Sequence, residues 1–201
     1  MIILAIDTSL GPCSAAIYKD GNILAEDQNR EPGQQSRVLV PMLESLLAQT
    51  KLRYSDCDAI ASTIGPGGFT GIRTGLATAR TIALALDKPL IGLTTLEVIA
   101  HASGISGDVL AVIDAYREQW YVQRFRMNGA AAAQSDPLLL DAKGLKALSH
   151  GAKIVETAPT ARGLAALAYE KWMRGERIFT NSPLYIREPD AKLPLKENLL
   201  S

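Results

Sequence analysis

The chain has 201 residues, 47% of them hydrophobic and 21% charged, which is enough for one sizeable core or two small lobes and too apolar for a disordered chain. Lysine plus arginine equals aspartate plus glutamate at 21 each, so no global basic field exists to hold nucleic acid by phosphate neutralisation alone. Its cysteines, Cys13 and Cys57, are too few for a disulfide framework and form no CxxC pair.

The first residues, Met1 to Asp7, lack a basic leader and reach an acid after a few apolar positions, which predicts a strand rather than a signal peptide. No apolar run approaches the ~18 residues of a membrane span, and a cytoplasmic protein is expected. Ser14 to Tyr18 and Ile23 to Glu26 are β-prone and joined by Lys19-Asp20-Gly21-Asn22, a tight-turn signal, so the chain opens as an antiparallel meander. A helix is predicted from Gln34 to Thr50. Its apolar residues Val38, Leu39, Met42, Leu43, Leu46 and Leu47 cover an arc wider than the usual stripe, and Pro41 should kink it or mark its first turn.

Asp58 to Ile64 reads as the next strand, followed by Gly65-Pro66-Gly67-Gly68 and a helix from Phe69 to about Leu86, stopped by Asp87-Lys88-Pro89. Projected at about 100° per residue, this helix has two apolar faces. One carries Gly71, Gly75, Thr78, Ala79 and Ile82, whose spacing lets a backbone press close against a sheet or another helix. The other carries Phe69, Ile72, Leu76 and Ala83 flanked by Arg73 and Arg80, and predicts a surface that another body covers. Strand Leu90 to Leu93 and helix Thr95 to His101 complete a mixed sheet with helices packed on it. Ser103-Gly104-Ile105-Ser106-Gly107 reads as a linker, dividing the chain into lobes 1–103 and 104–201.

The second lobe begins as the first does. Val109 to Ile113 ends in Asp114 and is followed by a polar turn and the β-prone Trp120 to Phe125, as Leu4 to Asp7 is followed by its turn and Ser14 to Tyr18. Two such lobes are how actin-like and sugar-kinase-like folds grip a nucleotide's phosphates. The rest reads as a low-complexity Ala130 to Ala133, a helix from Leu145 to Ser149, a strand from Lys153 to Glu156, a helix from Ala161 to Arg174 and a proline-punctuated tail expected to pack back on the first lobe.

Asp7-Thr8-Ser9 at the end of the first strand could hold a metal-bound water and phosphate oxygens, or could simply make the turn. With Asp114 they form a candidate phosphate site, expected to be vestigial, because the glycines after Ser103 all stand alone and supply no paired-glycine approach to a purine. The Gly65 to Gly71 loop matches neither a P-loop nor GxGxxG, and its amides at the helix start could bind an anion or simply make a tight helix entry. His101 and His150 have no metal-ligand spacing, and Cys13 has no identifiable base, so neither a catalytic residue nor a metal site is expected. Tyr116 to Arg126 interleaves aromatics and arginines, the pattern of an RNA-stacking strand and equally of a half-buried strand.

Leu4-Ala5-Ile6-Asp7-Thr8-Ser9, Gly65-Pro66-Gly67-Gly68-Phe69-Thr70-Gly71-Ile72-Arg73-Thr74-Gly75, Val112-Ile113-Asp114-Ala115 and Pro183-Leu184-Tyr185-Ile186-Arg187 together resemble the bacterial TsaB (YeaZ) family over nearly the whole chain. The resemblance implies an α/β, actin-like ATPase or ribonuclease-H-like (ASKHA) fold of two lobes with mixed sheets and flanking helices, the second lobe reduced. It implies a non-catalytic scaffold in making threonylcarbamoyladenosine at tRNA position 37. Its partners would be the paralogue TsaD and the ATPase TsaE, with tRNA met through the complex and a homodimer formed when TsaD is absent. ATP or ADP and a metal would belong to partner subunits or to the interface.

In the family the two helices of the first lobe form the pairing surface, which by resemblance puts Leu39, Met42, Leu43, Leu46, Phe69, Ile72, Arg73, Leu76 and Arg80 at the partner interface. The chain departs from the family at Gln34-Gln35-Ser36, where a histidine is frequent, at Tyr116 in place of arginine, and at Gln119 in place of an acid. An active kinase or ATPase using Asp7 and Asp114 is the alternative. A metallopeptidase, the third reading, would need paired metal histidines.

Overall fold

A computed structural model describes residues 1–31, 33–176 and 182–187. The first sheet has the order β3-β2-β1-β4-β5, built from β1 (Ile2–Asp7), β2 (Cys13–Lys19), β3 (Asn22–Asn29), β4 (Ala59–Thr63) and β5 (Leu90–Leu93). The opening meander is antiparallel, with Asp7 opposite Ser14 and Ile2 opposite Lys19. β4 and β5 then join parallel to β1, as crossovers through helices require.

The central strand β1 is buried on both faces, which explains its unbroken apolar run. Leu4 and Ile6 point to one side, where α1 (Gln35–Thr50) and α2 (Phe69–Ala85) cover them, with Pro41 lying inside α1. Ile3 and Ala5 point to the other, together with Ala16, Ala59 and Ala61. There the alanine-rich α5 (Ala161–Met173) lies on the sheet through Ala161, Leu164, Ala165 and Ala168. Small residues on both partners allow that close approach.

The second sheet repeats the plan in reduced form. β6 (Gly107–Asp114) pairs antiparallel with β7 (Gln119–Met127) and parallel with β10 (Lys153–Val155), as β1 pairs with β2 and β4. β8 (Ala131–Ala133) and β9 (Leu138–Asp141) complete it on the far side of β7, and β9 is a strand that the sequence reading missed. α3 (Thr95–Ala102) covers one face through Leu96, Ile99 and Ala100. α4 (Ala142–Leu148) covers the other, beside Leu110, Val112 and Val122.

The helices cross between the two halves. α3 follows the first sheet in sequence yet packs on the second, and α5 follows the second yet packs on the first. The amide of Ala161 donates to Ser14 Oγ at 3.0 Å, and Arg162 clamps Glu26 with two hydrogen bonds. Between α3 and α5, Lys171 Nζ lies 2.7 Å from Glu97 and 3.1 Å from Glu176, and His101 Nε2 lies 3.0 Å from Glu170. The lobes are interlocked rather than strung on the Ser103 to Gly107 connection. On β7, Arg124 and Arg126 both pair with Asp108, at 3.1 and 2.7 Å, so the aromatic and arginine alternation serves the sheet.

Candidate functional site: an interlobe cleft and a helical face

At the end of β1 the Asp7 carboxylate is sealed inside the first lobe. Its Oδ1 accepts hydrogen bonds from Thr63 Oγ1 at 2.7 Å, Ser9 Oγ at 2.7 Å and the Ser9 amide at 3.2 Å. Burial raises its pKa above the ordinary value of 3.8, and those hydrogen bonds oppose the rise without cancelling it. Thr8 Oγ1 donates to the Gly71 carbonyl at 2.6 Å, which commits that hydroxyl to α2.

The glycine turn fits around the same strand end. Gly68 donates its amide to the Ser9 carbonyl at 2.7 Å, and a Cβ on Gly67 would stand 2.3 Å from that oxygen. Gly71 and Gly75 then pass directly over Thr8. Of the small-residue face expected from spacing, Gly71 and Gly75 make the close approach, against the end of β1.

Between the lobes lies a cleft of about 1090 Å³ whose lining includes Thr8, Ser9, Gly67, Asp114, Tyr116 and Arg187. It brings together three of the four candidate phosphate residues, and Asp7 is the one left out. Asp114 is exposed, and its Oδ1 accepts from the Tyr116 amide at 2.7 Å, capping a turn in which Tyr116, Arg117 and Glu118 all have φ near +60°. The cleft's glycines, Gly11, Gly33, Gly67, Gly68 and Gly71, all come from the first lobe. Asp7 is hydrogen-bonded to Thr63 and Ser9, the Thr8 and Ser9 hydroxyls donate within the lobe, and the glycines that line the cleft among the described residues belong to the first lobe.

Two further candidates resolve in the same way. Burial pushes the thiols of Cys13 and Cys57 up to about 11, so neither is a nucleophile at neutral pH. Among the described residues no three His, Cys, Asp or Glu side chains gather as a metal group.

The segment 183–187 returns to this region. Leu184 donates its amide to the Ile64 carbonyl at 2.7 Å, and the Leu184 carbonyl fills the space where a Gly65 side chain would stand. Tyr185 stacks on Phe69 with ring centroids 4.6 Å apart. Arg73 lies over Phe69 at 3.8 Å and donates from Nε to the Tyr185 hydroxyl at 3.0 Å. Arg187 donates to Gln119 Oε1 at 2.8 Å and makes a longer contact of 3.4 Å with the Tyr116 carbonyl.

The helical interface expected from sequence needs correction. Leu39, Met42, Leu43 and Leu46 of α1, and Ile72 and Leu76 of α2, are at most 6% exposed and form the chain's own core against Leu4, Ile6 and Ile17, or the contacts beside it. Their arc is wide because each helix packs on both the sheet and its neighbour helix. Of the nine proposed interface residues, Phe69, Arg73 and Arg80 are exposed. The outer face instead carries Val40, Pro41 and Ala48 on α1, and Ala77 and Leu84 on α2. Leu84 is 85% exposed and Val40 50%. These exposed apolar residues are interspersed with Arg37 and Glu44 on α1 and Arg73 and Arg80 on α2, so the face is mixed, with Leu84 and Val40 its most exposed large apolar side chains.

Comparison with known proteins gives this arrangement relatives. The family described as "TsaD: tRNA N6-adenosine threonylcarbamoyltransferase" matches residues 33–171. The tRNA threonylcarbamoyladenosine biosynthesis protein TsaB of Escherichia coli is 28% identical over 205 residues, covering 100% of this chain and 84% of that protein. An uncharacterised protein of Mycobacterium tuberculosis is 32% identical over 206 residues, covering 94% of this chain and 93% of its own. The crystal structure of YeaZ from Pseudomonas aeruginosa superposes with a TM-score of 0.79 at 27% identity, covering 92% of this chain and 99% of that one.

The chain belongs to the TsaB (YeaZ) family. Its fold is that of YeaZ, two mixed sheets with flanking helices, as the TsaB resemblance implied. No helix among the described residues is long and apolar enough to cross a membrane. Within this TsaB-family framework the sequence reading missed Thr63, which completes the shell of Asp7, and the joint role of Tyr185, Arg187 and Gln119. The Pro183 to Arg187 motif signals the second group and the tail is expected on the first lobe, but nothing in its spacing names the side chains it touches.

Proposed function

We propose that the chain is the non-catalytic scaffold and activator subunit of a TsaB–TsaD–TsaE complex that installs threonylcarbamoyl on adenosine 37 of tRNAs reading codons beginning with A. Membership of the TsaB family supports the broader statement, a role in tRNA threonylcarbamoyladenosine biosynthesis. The observation that carries the scaffold reading is the inward commitment of the Asp7 carboxylate to Thr63 and Ser9. A carboxylate serving phosphoryl transfer must face the cleft and its metal. This one supports the strand end on which α2 rests.

In this reading TsaD docks on the outer face of α1 and α2, around Val40, Ala77 and Leu84 with Phe69, Arg73 and Arg80 at its margin, and TsaE joins as the third subunit. A second copy of the chain takes the same face when TsaD is absent. ATP or ADP and the metal belong to partner subunits or to the interface, tRNA is met through the complex, and the site of action is the cytoplasm. The test is depletion of the chain in its own cells followed by nucleoside analysis of tRNA. Threonylcarbamoyladenosine should fall and return with the wild-type chain. A normal level without the chain or a redundant copy overturns the proposal.

A further inference from the structure

From the contacts of residues 184–187 we infer that this segment is a clasp that couples the second lobe to the outer face of α2. The inference rests on the docking surface proposed above and adds a regulatory connection to it. Three successive anchors define the clasp. Leu184 is fixed in the first lobe through the Ile64 carbonyl and packs on the core beneath α1 and α2. Tyr185 holds Phe69 from one side while Arg73 covers it, so the first exposed side chains of α2 are set by this ring. Arg187, two residues on, reaches the β6–β7 turn through Gln119 and the Tyr116 carbonyl.

The turn at the far end is well suited to register movement of the second lobe. Three consecutive non-glycine residues in left-handed geometry, Tyr116 to Glu118, are strained and persist only while their surroundings hold them. The Asp114 carboxylate caps the turn from within, and Arg187 holds it from the strap. A change in that turn pulls on Arg187, and the two-residue link passes the displacement to Tyr185. Phe69 and Arg73 meet the strap through the ring and hydroxyl of Tyr185, so their side-chain positions report on it.

The experiment compares the full chain with Arg187→Ala and Gln119→Ala by NMR, following the Arg73 Nε–H and the ring signals of Phe69 and Tyr185. Both variants should shift those signals, although neither residue touches Phe69 or Arg73. Both should also weaken binding to purified TsaD by about threefold to tenfold, the loss of roughly one modest hydrogen bond. Shifts confined to residues 116–119 and 186–187 overturn the clasp. So does unchanged TsaD affinity while Leu84→Glu abolishes binding. If Leu84→Glu leaves TsaD binding intact, the docking surface fails, and the clasp is then decided by the NMR shifts alone.

Discussion

Thr8 Oγ1 and the Gly71 carbonyl oxygen stand 2.6 Å apart, and this buried hydrogen bond joins the end of β1 to the first turn of α2. A Cβ on Gly71 would lie 2.0 Å from the Thr8 carbonyl oxygen, and one on Gly75 would lie 2.3 Å from Thr8 Oγ1. The two glycines face different atoms of one residue, which separates their mutants. Gly71→Ala and Gly75→Ala should each cost about 1–3 kcal/mol or more by overpacking, read as a lower midpoint in urea unfolding. Adding Thr8→Ala should recover much of the Gly75→Ala loss, since it removes the hydroxyl in the way. It should recover none of the Gly71→Ala loss, where the obstacle is backbone.

Asp7 gives a prediction with a definite sign. Its pKa is raised in the folded chain, chiefly by burial, so the native state holds the proton to higher pH than the unfolded state does. Ionisation of Asp7 therefore lowers stability as pH rises from the ordinary 3.8 through its folded value, and that cost is fully present above it. Asp7→Asn keeps an oxygen to accept from Thr63 and Ser9 and removes the charge. Its stability relative to wild type should improve as pH rises from 3.8 through the folded value of Asp7 and then level off, read in denaturant titrations. A scaffold carrying Asp7→Asn should still support threonylcarbamoyladenosine formation when combined with TsaD and TsaE, whereas a phosphoryl-transfer carboxylate would lose activity.

Lys171 holds α3 and α5 together from a buried position, with Glu97 and Glu176 as its partners. Burial alone would lower its pKa, but the two carboxylates outweigh burial and raise it above 10.5. This contribution is complete at neutral pH and is lost as pH climbs past 10.5 through the folded value. Lys171→Met leaves the Glu97 charge partly buried without its cation and should destabilise by roughly 3 kcal/mol, toward the low end for a broken buried pair because Glu176 remains partly exposed. The double variant Lys171→Met, Glu97→Gln should regain part of that loss in a thermal melt.

Local spacing made much of this legible. The meander, the glycine entry to α2 and the seat of Gly71 and Gly75 follow from residues whose constraints are near in sequence. The identity of what covers a face does not. Leu43 and Ile72 look the same in a helical projection whether a neighbouring helix or another protein lies over them. The apolar arc of α1 was therefore assigned to a partner when α2 and the sheet already filled it. The placement of α5 on the first sheet was equally hidden, since it rests on the match of Ala165 and Ala168 to Ala5 and Ala61, residues far apart in the chain. For Asp7, the sequence allows both a catalytic and a structural carboxylate, and the hydrogen bond from Thr63, 56 residues away, lies beyond what local spacing can show.

The same correction decides how the docking face should be tested. Leu43 is 0% exposed, so Leu43→Glu places an unpaired charge in the core and should unfold the chain or cost roughly 3–5 kcal/mol, which makes any loss of partner binding uninformative. Leu84 is 85% exposed and contributes little to the fold. Leu84→Glu should leave the thermal midpoint unchanged, a stability difference within about 0.5 kcal/mol, because the new carboxylate stays in water. At a dry interface that charge would be stripped of solvent, and binding to TsaD should weaken by at least about a hundredfold in calorimetry. Val40→Glu on α1 should act in the same direction with the same silent melt. If both variants bind TsaD as wild type does, the partner lies on another surface, and the outer face of α1 and α2 needs a different occupant.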